Sequence, residues 1–232
     1  MLKQGLVQVY TGKGREMNLA HIGLSLRATG QNLRTFVMGL LPHPFMETED
    51  RALSFLKPNI VVERLPLGHI PSDEDLHERD RDTISESFEH IQEIVYGGAF
   101  DIIILEDINK VVDMGIIPVS TIIDLIKKKP ANVELVLTGR NARGEIIEQA
   151  DLVTEMIEHK REEGSWRIDG SNQEGCAGVI TGNGKGKSTY CLGRAMLFAA
   201  NGIRSSVLQF IKSPRAYGEI IAIERFPNLE IK

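Results

Sequence analysis

The residues from 178 to 189 read Gly-Val-Ile-Thr-Gly-Asn-Gly-Lys-Gly-Lys-Ser-Thr. A short apolar run is followed by three closely spaced glycines, and Lys187 and Ser188 then open a longer stretch typical of a helix. Glycines allow the backbone to approach an anion closely, and the N–H groups at a helix N-terminus bind phosphate oxygens. This order predicts a strand, a phosphate-binding loop and a helix, the unit from which P-loop α/β sheets are built.

The composition of this loop predicts that it holds the triphosphate of ATP. We expect Lys187 and Lys185 to act as catalytic charges on the phosphates, and the Ser188 hydroxyl to coordinate Mg²⁺. A glycine-rich turn without a ligand is the alternative. The loop is one residue shorter than the usual GxxxxGK[ST] pattern, because Thr181 stands where the first glycine would be. The residues predicted to contact the nucleotide are Thr181, Gly182, Asn183, Gly184, Lys185, Gly186, Lys187, Ser188 and Thr189.

The chain as a whole alternates short β-branched apolar runs with amphipathic stretches, the pattern of a parallel α/β sheet. Runs such as residues 102–105 are apolar throughout, as expected when helices cover both faces of a sheet. We therefore predict an open, mostly parallel, P-loop NTPase-like sheet flanked by helices. The predicted strands are 6–10, 34–38, 60–64, 100–105, 133–137 and 152–154. The predicted helices are 19–28, 47–56, 83–95, 120–128 and 144–149, with Ser120 as the N-cap of the fourth.

The chain also matches itself when it is shifted by 170 positions. The matches fall on turn glycines and strand centres without a gap, so we predict a duplicated fold. The first copy covers residues 1–165, and residues 171–232 are the start of a second copy. We interpret the polar stretch 160–174 as the linker between the two copies, and we expect Trp166 within it to serve as a packing anchor. Pairs at this offset include Thr11-Gly12 with Thr181-Gly182, Gly23 with Gly193, Arg34 with Arg204, and Glu49 with Glu219.

The second copy is short, with a strand, loop, helix, strand and part of another helix. That is too little to cover both faces of a sheet, because domains near ~60 residues bury a small share of their surface. Two interpretations stay open: the chain is a fragment of a longer protein, or this piece docks on another sheet. We predict that the piece does not fold alone and that it packs against the sheet of a first copy, in the same chain or in a symmetry mate.

Composition excludes several classes of protein. The net charge of −5 argues against a nucleic-acid or membrane-surface partner. No apolar run approaches the ~20 residues of a membrane span, and no signal-peptide core follows Met1. Cys176 and Cys191 are predicted to be buried, reduced thiols. We expect a cytoplasmic protein.

The loop and several further motifs resemble the cobalamin-type ATP:corrinoid adenosyltransferases. The loop of that family reads TGNGKGKTT, against residues 181–189 here, and its QFLKG…GE…ALER segment resembles residues 209–225. The first copy carries motifs similar to the later ones of the family: DIIILEDIN at 101–109, LTGRNA at 137–142 and ADLVTEM at 150–156.

This resemblance implies transfer of the 5′-deoxyadenosyl group of ATP to a cobalt(I) corrinoid with release of triphosphate, a reaction of cobalamin biosynthesis. It implies ATP and Mg²⁺ as cofactors and an electron-donating reductase or flavodoxin as partner, because the cobalt must first be reduced. We also expect a homodimer. Two alternatives are a non-catalytic, nucleotide-binding regulatory relative and a generic P-loop ATPase.

The first copy departs from the family at its own loop. Glu16 and Met17 stand where the second copy has Gly186 and Lys187. A carboxylate held near a phosphate is repulsive in a partly desolvated site. The first loop is therefore predicted not to bind ATP.

Further departures lie in the acidic and aromatic motifs. Glu106 followed by Asp107 inverts the Asp-Glu order of the family. Glu106 is predicted to be a second Mg²⁺ ligand, directly or through water, and a solvated acid at a strand end is the alternative. The aromatic GFTW segment, which the resemblance implicates in corrinoid binding, aligns with Gly-His-Ile-Pro at 68–71, where both aromatic residues are missing. The charged run 73–82 is predicted to be a solvated loop.

Overall fold

The described part of the chain comprises five stretches. The computed structural model describes residues 2–12, 19–67, 76–160, 177–210 and 217–232. We call residues 2–160 the N-terminal segment and residues 177–232 the C-terminal segment. Several predicted features lie outside the described residues: the first loop at 13–18, the segment 68–71, the linker with Trp166, Lys212 and Cys176.

The N-terminal segment is built on a six-stranded sheet in which all the strands are parallel. Its order is β3-β2-β4-β5-β1-β6, so the first strand lies between the last two. Each strand begins and ends within two residues of its predicted bounds, which confirms the predicted α/β sheet. The strands are β1 (Val7–Gly12), β2 (Thr35–Gly39), β3 (Ile60–Arg64), β4 (Ile102–Glu106), β5 (Glu134–Thr138) and β6 (Leu152–Met156).

Helices cover both faces of this sheet and form two apolar layers. On one face, α1 and α2 pack against alternate side chains such as Tyr10, Val37 and Ile104. On the other face, α3 to α6 pack against the intervening side chains, such as Val9, Phe36 and Ile103. None of the described helices combines the length and apolar character needed to cross a membrane. The helices are α1 (Leu19–Gly30), α2 (Met46–Ser54), α3 (Glu78–Tyr96), α4 (Ile108–Asp113), α5 (Val119–Lys128) and α6 (Gly144–Gln149).

Three local predictions in this segment were wrong. The N-cap of α5 is Pro118 and not Ser120, because the helix already begins at Val119. Residues 78–82 of the charged run are helical, since α3 begins earlier than predicted and the His77 backbone N–H donates to Asp80 Oδ2 at 3.3 Å. The six-residue helix α4 was not predicted; it is too short to show a clear apolar period.

The C-terminal segment begins with ten residues outside any helix or strand, followed by helix α7 and a small sheet. Its elements are α7 (Lys187–Ala200), β7 (Ser205–Val207), α8 (Gly218–Ala222), a 3-10 turn (Ile223–Arg225) and β8 (Leu229–Ile231). The strands β7 and β8 pair in parallel.

The strand predicted to lead into the loop is not formed. Residues 177–180 have no strand pairing, and Val179 is 89% exposed. By contrast, the equivalent strand β1 pairs with β5 and β6. The apolar run at 178–180 has no such strand partner within the part of the chain that the structure describes. Cys191 is exposed on α7, so the prediction that it is buried was also wrong.

The C-terminal segment packs on the helical layer of the N-terminal segment. Helix α7 crosses α1 and also contacts α2, while α8 contacts α1. The backbones at the crossing lie very close: a Cβ added at Gly23 would overlap the Thr189 carbonyl oxygen, and one added at Gly193 would overlap that of Leu19. The C-terminal segment does pack on the N-terminal segment, but on α1 and α2 and not on the sheet, since β7 and β8 form a separate two-stranded sheet. The prediction of docking on a sheet was therefore wrong.

Candidate functional site

The predicted phosphate-binding loop forms a turn that ends at the start of α7. Gly182 and Gly186 have φ angles of +127° and +105°, a backbone region that side chains with a Cβ rarely adopt. Gly186 is the N-cap of α7, and its carbonyl accepts the first helical hydrogen bond from the Tyr190 N–H at 2.8 Å. The N–H groups of the first turn of a helix have no intrahelical acceptor, which is the basis of anion binding at such ends.

The predicted charged and hydroxyl side chains lie together on this loop. Lys187 Nζ donates to the Gly184 carbonyl at 2.6 Å, so the ammonium group lies over the turn. Ser188 and Lys185 are exposed, whereas Thr189 is buried against α1. The loop therefore presents two lysines and a serine at the start of a helix.

The loop borders a cleft that the two segments line together. The cleft has a volume of about 360 Å³, within the range of ligand sites. Arg27, Lys185 and Lys187 line it, and none of the described lining residues is acidic. Such a wall favours a polyanion by simple charge complementarity. The other lining residues are Leu6, Gln8, Tyr10, Leu24, Leu152, Gly184, Gly186, Ser188 and Thr189.

Arg27 is a site residue that the sequence analysis missed. Its Nη1 donates to Thr189 Oγ1 and its Nε to Glu219 Oε2, both at 3.2 Å. Glu219 is 1% exposed, so its carboxylate has been removed from water and needs a partner. The sequence offers one signal for Arg27. When the chain is shifted by 170 positions, this charged residue aligns with the apolar Leu197.

Two of the family-like motifs of the N-terminal segment meet at the carboxyl ends of β4 and β5, and the third contacts the amino end of β1. Asn109 Nδ2 lies 3.4 Å from the Leu137 carbonyl and 3.3 Å from that of Gly139, joining the 101–109 motif to the 137–142 motif. The 150–156 motif forms β6, and Asp151 Oδ2 accepts the Val7 N–H at 2.8 Å. These motifs therefore fix β4, β5 and β6 around β1.

Glu106, the second predicted Mg²⁺ ligand, lies in a buried cluster of the N-terminal segment. Its carboxylate contacts Arg64 Nη1, and its Oε1 lies 2.6 Å from His21 Nε2. The alternative of a solvated acid was wrong, because Glu106 is fully buried. Glu106 is also absent from the described lining of the cleft that contains Ser188.

The carboxylates of this cluster are paired with basic side chains. His43 Nε2 lies 3.2 Å from Glu49 Oε2, and Arg64 also contacts Asp50 at 2.7 Å. Burial lowers the pKa of His21 to about 4, so this imidazole is neutral. Burial also lowers the pKa of His43, but the hydrogen bond and charge of Glu49 outweigh it, and the net shift is upward. Atoms of His21, Glu49 and Glu106 lie within 4.8 Å of one another, a spacing that a metal ion could use, and Arg64 contacts both carboxylates at this place.

Comparison with known proteins extends the resemblance over both segments. The family model described as ATP:corrinoid adenosyltransferase BtuR/CobO/CobP matches residues 3–166 and residues 173–232. The Corrinoid adenosyltransferase of Sinorhizobium sp is 31% identical over 157 residues, which cover 66% of this chain and 72% of that protein. That of Escherichia coli (strain K12) is 22% identical over 154 residues, with 66% and 77% covered.

A longer relative aligns with nearly the whole chain. The uncharacterized protein all2391 of Nostoc sp. (strain PCC 7120) is 27% identical over 238 residues, which cover 94% of this chain. The alignment covers 61% of that protein, so this chain spans less than two thirds of its length. With a family match across both segments, this chain belongs to the ATP:corrinoid adenosyltransferase family.

Proposed function

We propose that this protein is an ATP-dependent corrinoid adenosyltransferase whose ATP site is the loop at 181–189. The observation that carries the proposal is the loop at the start of α7, which opens on a cleft lined by three cations and by no acid among the described lining residues. Membership of the family supplies the reaction class. The Corrinoid adenosyltransferase relatives support the same assignment.

In the proposed reaction, the electron pair of cobalt(I) forms a bond to C5′ of ATP. The C5′–oxygen bond breaks, and the triphosphate leaves with that bonding pair. The metal is the nucleophile, so the protein is required to position C5′ and to stabilise the leaving anion. We assign this second task to Lys187 and Lys185, whose ammonium groups lie on the loop. An electron-donating reductase or flavodoxin would keep the corrinoid cobalt reduced.

The exposed Ser188 hydroxyl fits a magnesium ion that is also bound by phosphate oxygens. Bound Mg²⁺ would neutralise part of the triphosphate charge. The proposed role of Glu106 as a second ligand would require its carboxylate to exchange Arg64 for the ion. Glu106→Gln should leave the affinity for Mg²⁺·ATP unchanged if the ion depends on Ser188 alone.

We also propose that residues 1–165 and 171–232 are two copies of one fold, with ATP bound by the second. Two observations support this: the family model matches both parts, and α1 and α7 occupy equivalent positions at the 170-residue offset. A homodimer and a cytoplasmic location remain predictions from the sequence.

The products of the reaction test the proposed function. We expect the full chain, given chemically reduced cobalamin and Mg²⁺·ATP, to form a light-sensitive cobalt–carbon bond and to release intact triphosphate. Lys187→Ala should abolish both products. Release of inorganic phosphate without alkylation would instead identify an ATPase. Binding of ATP without any product would identify a regulatory nucleotide-binding protein, an alternative suggested by the first loop, where Met17 and Asn18 stand at the positions of Lys187 and Ser188.

A further inference from the structure

We propose that Arg27, on α1 of the N-terminal segment, is a positioning residue for ATP bound by the loop of the C-terminal segment. The inference rests on the proposed function, since it concerns the same ATP site. It makes that site composite: the loop comes from one segment and an essential cation from the other.

The first argument is the place of the guanidinium. Arg27 lines the cleft beside Lys185 and Lys187, and its side chain is 40% exposed. An arginine at this place offers forked N–H donors to phosphate oxygens, while the carboxylate of Glu219 offsets its charge. It is also the cation of that cleft that the N-terminal segment supplies.

The second argument is the pair of hydrogen bonds that hold Arg27. Its Nη1 bonds Thr189 Oγ1, and Thr189 directly follows the predicted magnesium ligand Ser188. Its Nε bonds the buried carboxylate of Glu219 at the start of α8. The planar, forked guanidinium therefore links α1 to the first turns of α7 and α8. Through Thr189, it fixes the first turn of the helix whose N-terminus would bind phosphate.

The third argument is the rigidity of the helix crossing beneath this link. Gly23 lies against the Thr189 carbonyl oxygen, one helical turn from Arg27, and Gly30 lies against the Gly218 carbonyl oxygen. The absence of side chains at these glycines brings the backbones together and sets the position of α7 along α1. Arg27 lies between the two close contacts, so its reach to Thr189 is determined by the packing.

The N-terminal segment supplies Arg27 to the loop of the C-terminal segment, and the equivalent residue of the C-terminal segment cannot do the same in return. The residue equivalent to Arg27 at the 170-residue offset is Leu197, which is fully buried and carries no charge. The C-terminal segment therefore offers no guanidinium to the N-terminal segment at this place. This asymmetry matches the predicted loss of the first loop, because the arginine is retained opposite the loop that keeps its lysine.

Calorimetric titration of the full chain with Mg²⁺·ATP tests the inference. We expect Arg27→Ala to weaken binding by roughly tenfold, the effect of one charge-assisted hydrogen bond. Arg27→Lys and added methylguanidinium should each restore part of the affinity of the native chain. Arg51→Ala is the matched control, because Arg51 also reaches across the segments, to Asn201 Oδ1 at 3.3 Å, away from the cleft. It should bind like the native chain.

The outcomes separate this inference from the proposed function. Absence of Lys187-dependent ATP binding in the native chain would overturn the proposed ATP site itself. Native-like binding by Arg27→Ala, with Lys187 still required, would overturn the role of Arg27 alone. An equal loss in Arg51→Ala, or a loss that neither lysine nor methylguanidinium restores, would show that Arg27 acts only in holding the segments together, and would also overturn the inference.

Discussion

The two segments of this chain have similar sequences before and within their loops, but different structures around them. In the N-terminal segment, β1 lies between β5 and β6, and the helix α1 places His21 in a buried cluster beside Glu106. In the C-terminal segment, the run before the loop is unpaired, and the loop itself is exposed beside a positive cleft.

The complete parallel sheet and the predicted phosphate-binding loop thus belong to different segments. The N-terminal segment has the sheet and has lost the lysine and serine of its loop. The C-terminal segment keeps the loop and relies on α1 and α2 for its packing.

The dependence of the C-terminal segment on its neighbour is tested by expressing residues 171–232 alone. Its apolar side chains pack on α1 and α2 in the intact chain, and Phe210 is already 92% exposed there. We expect no cooperative thermal unfolding transition by circular dichroism, because the isolated piece would expose a sheet edge and an apolar helix face. The intact chain is the reference. A cooperative transition in the isolated monomer would refute the prediction.

The two loops are compared by substituting equivalent positions. Lys187→Ala should abolish detectable binding of Mg²⁺·ATP, because it removes the proposed phosphate cation. Met17→Ala, at the matching position of the first loop, should bind like the native chain. Calorimetric titration of both variants decides between them, and similar losses of affinity would mean that the first loop takes part.

The buried cluster of the N-terminal segment predicts a dependence of stability on pH. His21 has an ordinary pKa of 6.5 and a folded-state pKa of about 4. Between these values the unfolded chain binds the additional proton, so the free energy of unfolding falls as the pH drops from 6.5 to 4. The full shift corresponds to roughly 3 kcal/mol. The raised pKa of His43 acts in the other direction and at higher pH, since its contribution is complete below 6.5.

Urea denaturation at pH 7 and pH 4.5 measures this effect. His21→Gln should lose less stability between the two values than the native chain, because the variant has no imidazole to protonate at that position. Equal slopes for the native chain and His21→Gln would contradict a neutral, buried His21.

The close contact between the segments predicts a smaller loss of stability. Gly23→Ala adds a Cβ that would overlap the Thr189 carbonyl oxygen, so α7 must move away from α1. We expect the free energy of unfolding to fall by about 1–3 kcal/mol, the usual cost of overpacking. Gly144→Ala is the control, because nothing lies within 4 Å of a Cβ at that position. An equal change in the two variants would show that α1 and α7 can move apart without loss of stability.

The sequence predicted the strands of the N-terminal segment well because they are buried on both faces. A run such as residues 102–105 is apolar at every position, so its pattern does not depend on which helix covers it. The same reasoning failed at residues 178–180. Their apolar pattern is equally clear, but a strand also needs neighbours to bond, and a local pattern carries no information about them.

The candidate site was predictable in its loop and not in its surroundings. Lys185, Lys187 and Ser188 follow from a motif within one stretch of chain. Arg27 and Glu219 are 192 positions apart, and their contact depends on how α8 packs against α1. The burial of Glu106 likewise depends on Arg64 and His21, which come from a different strand and helix.

The glycine contacts between α1 and α7 have a consequence for symmetry. A shift of 170 positions turns Gly23 into Gly193 and Leu19 into Thr189. The two backbone contacts at the crossing, Gly23 with Thr189 and Gly193 with Leu19, are therefore exchanged by that shift. Contacts that exchange in this way define an isologous interface, the arrangement that identical subunits form about a two-fold axis. Two helices of a single chain thus meet with the local symmetry of a dimer, and that symmetry is broken one turn away, where an arginine on one helix corresponds to a leucine on the other.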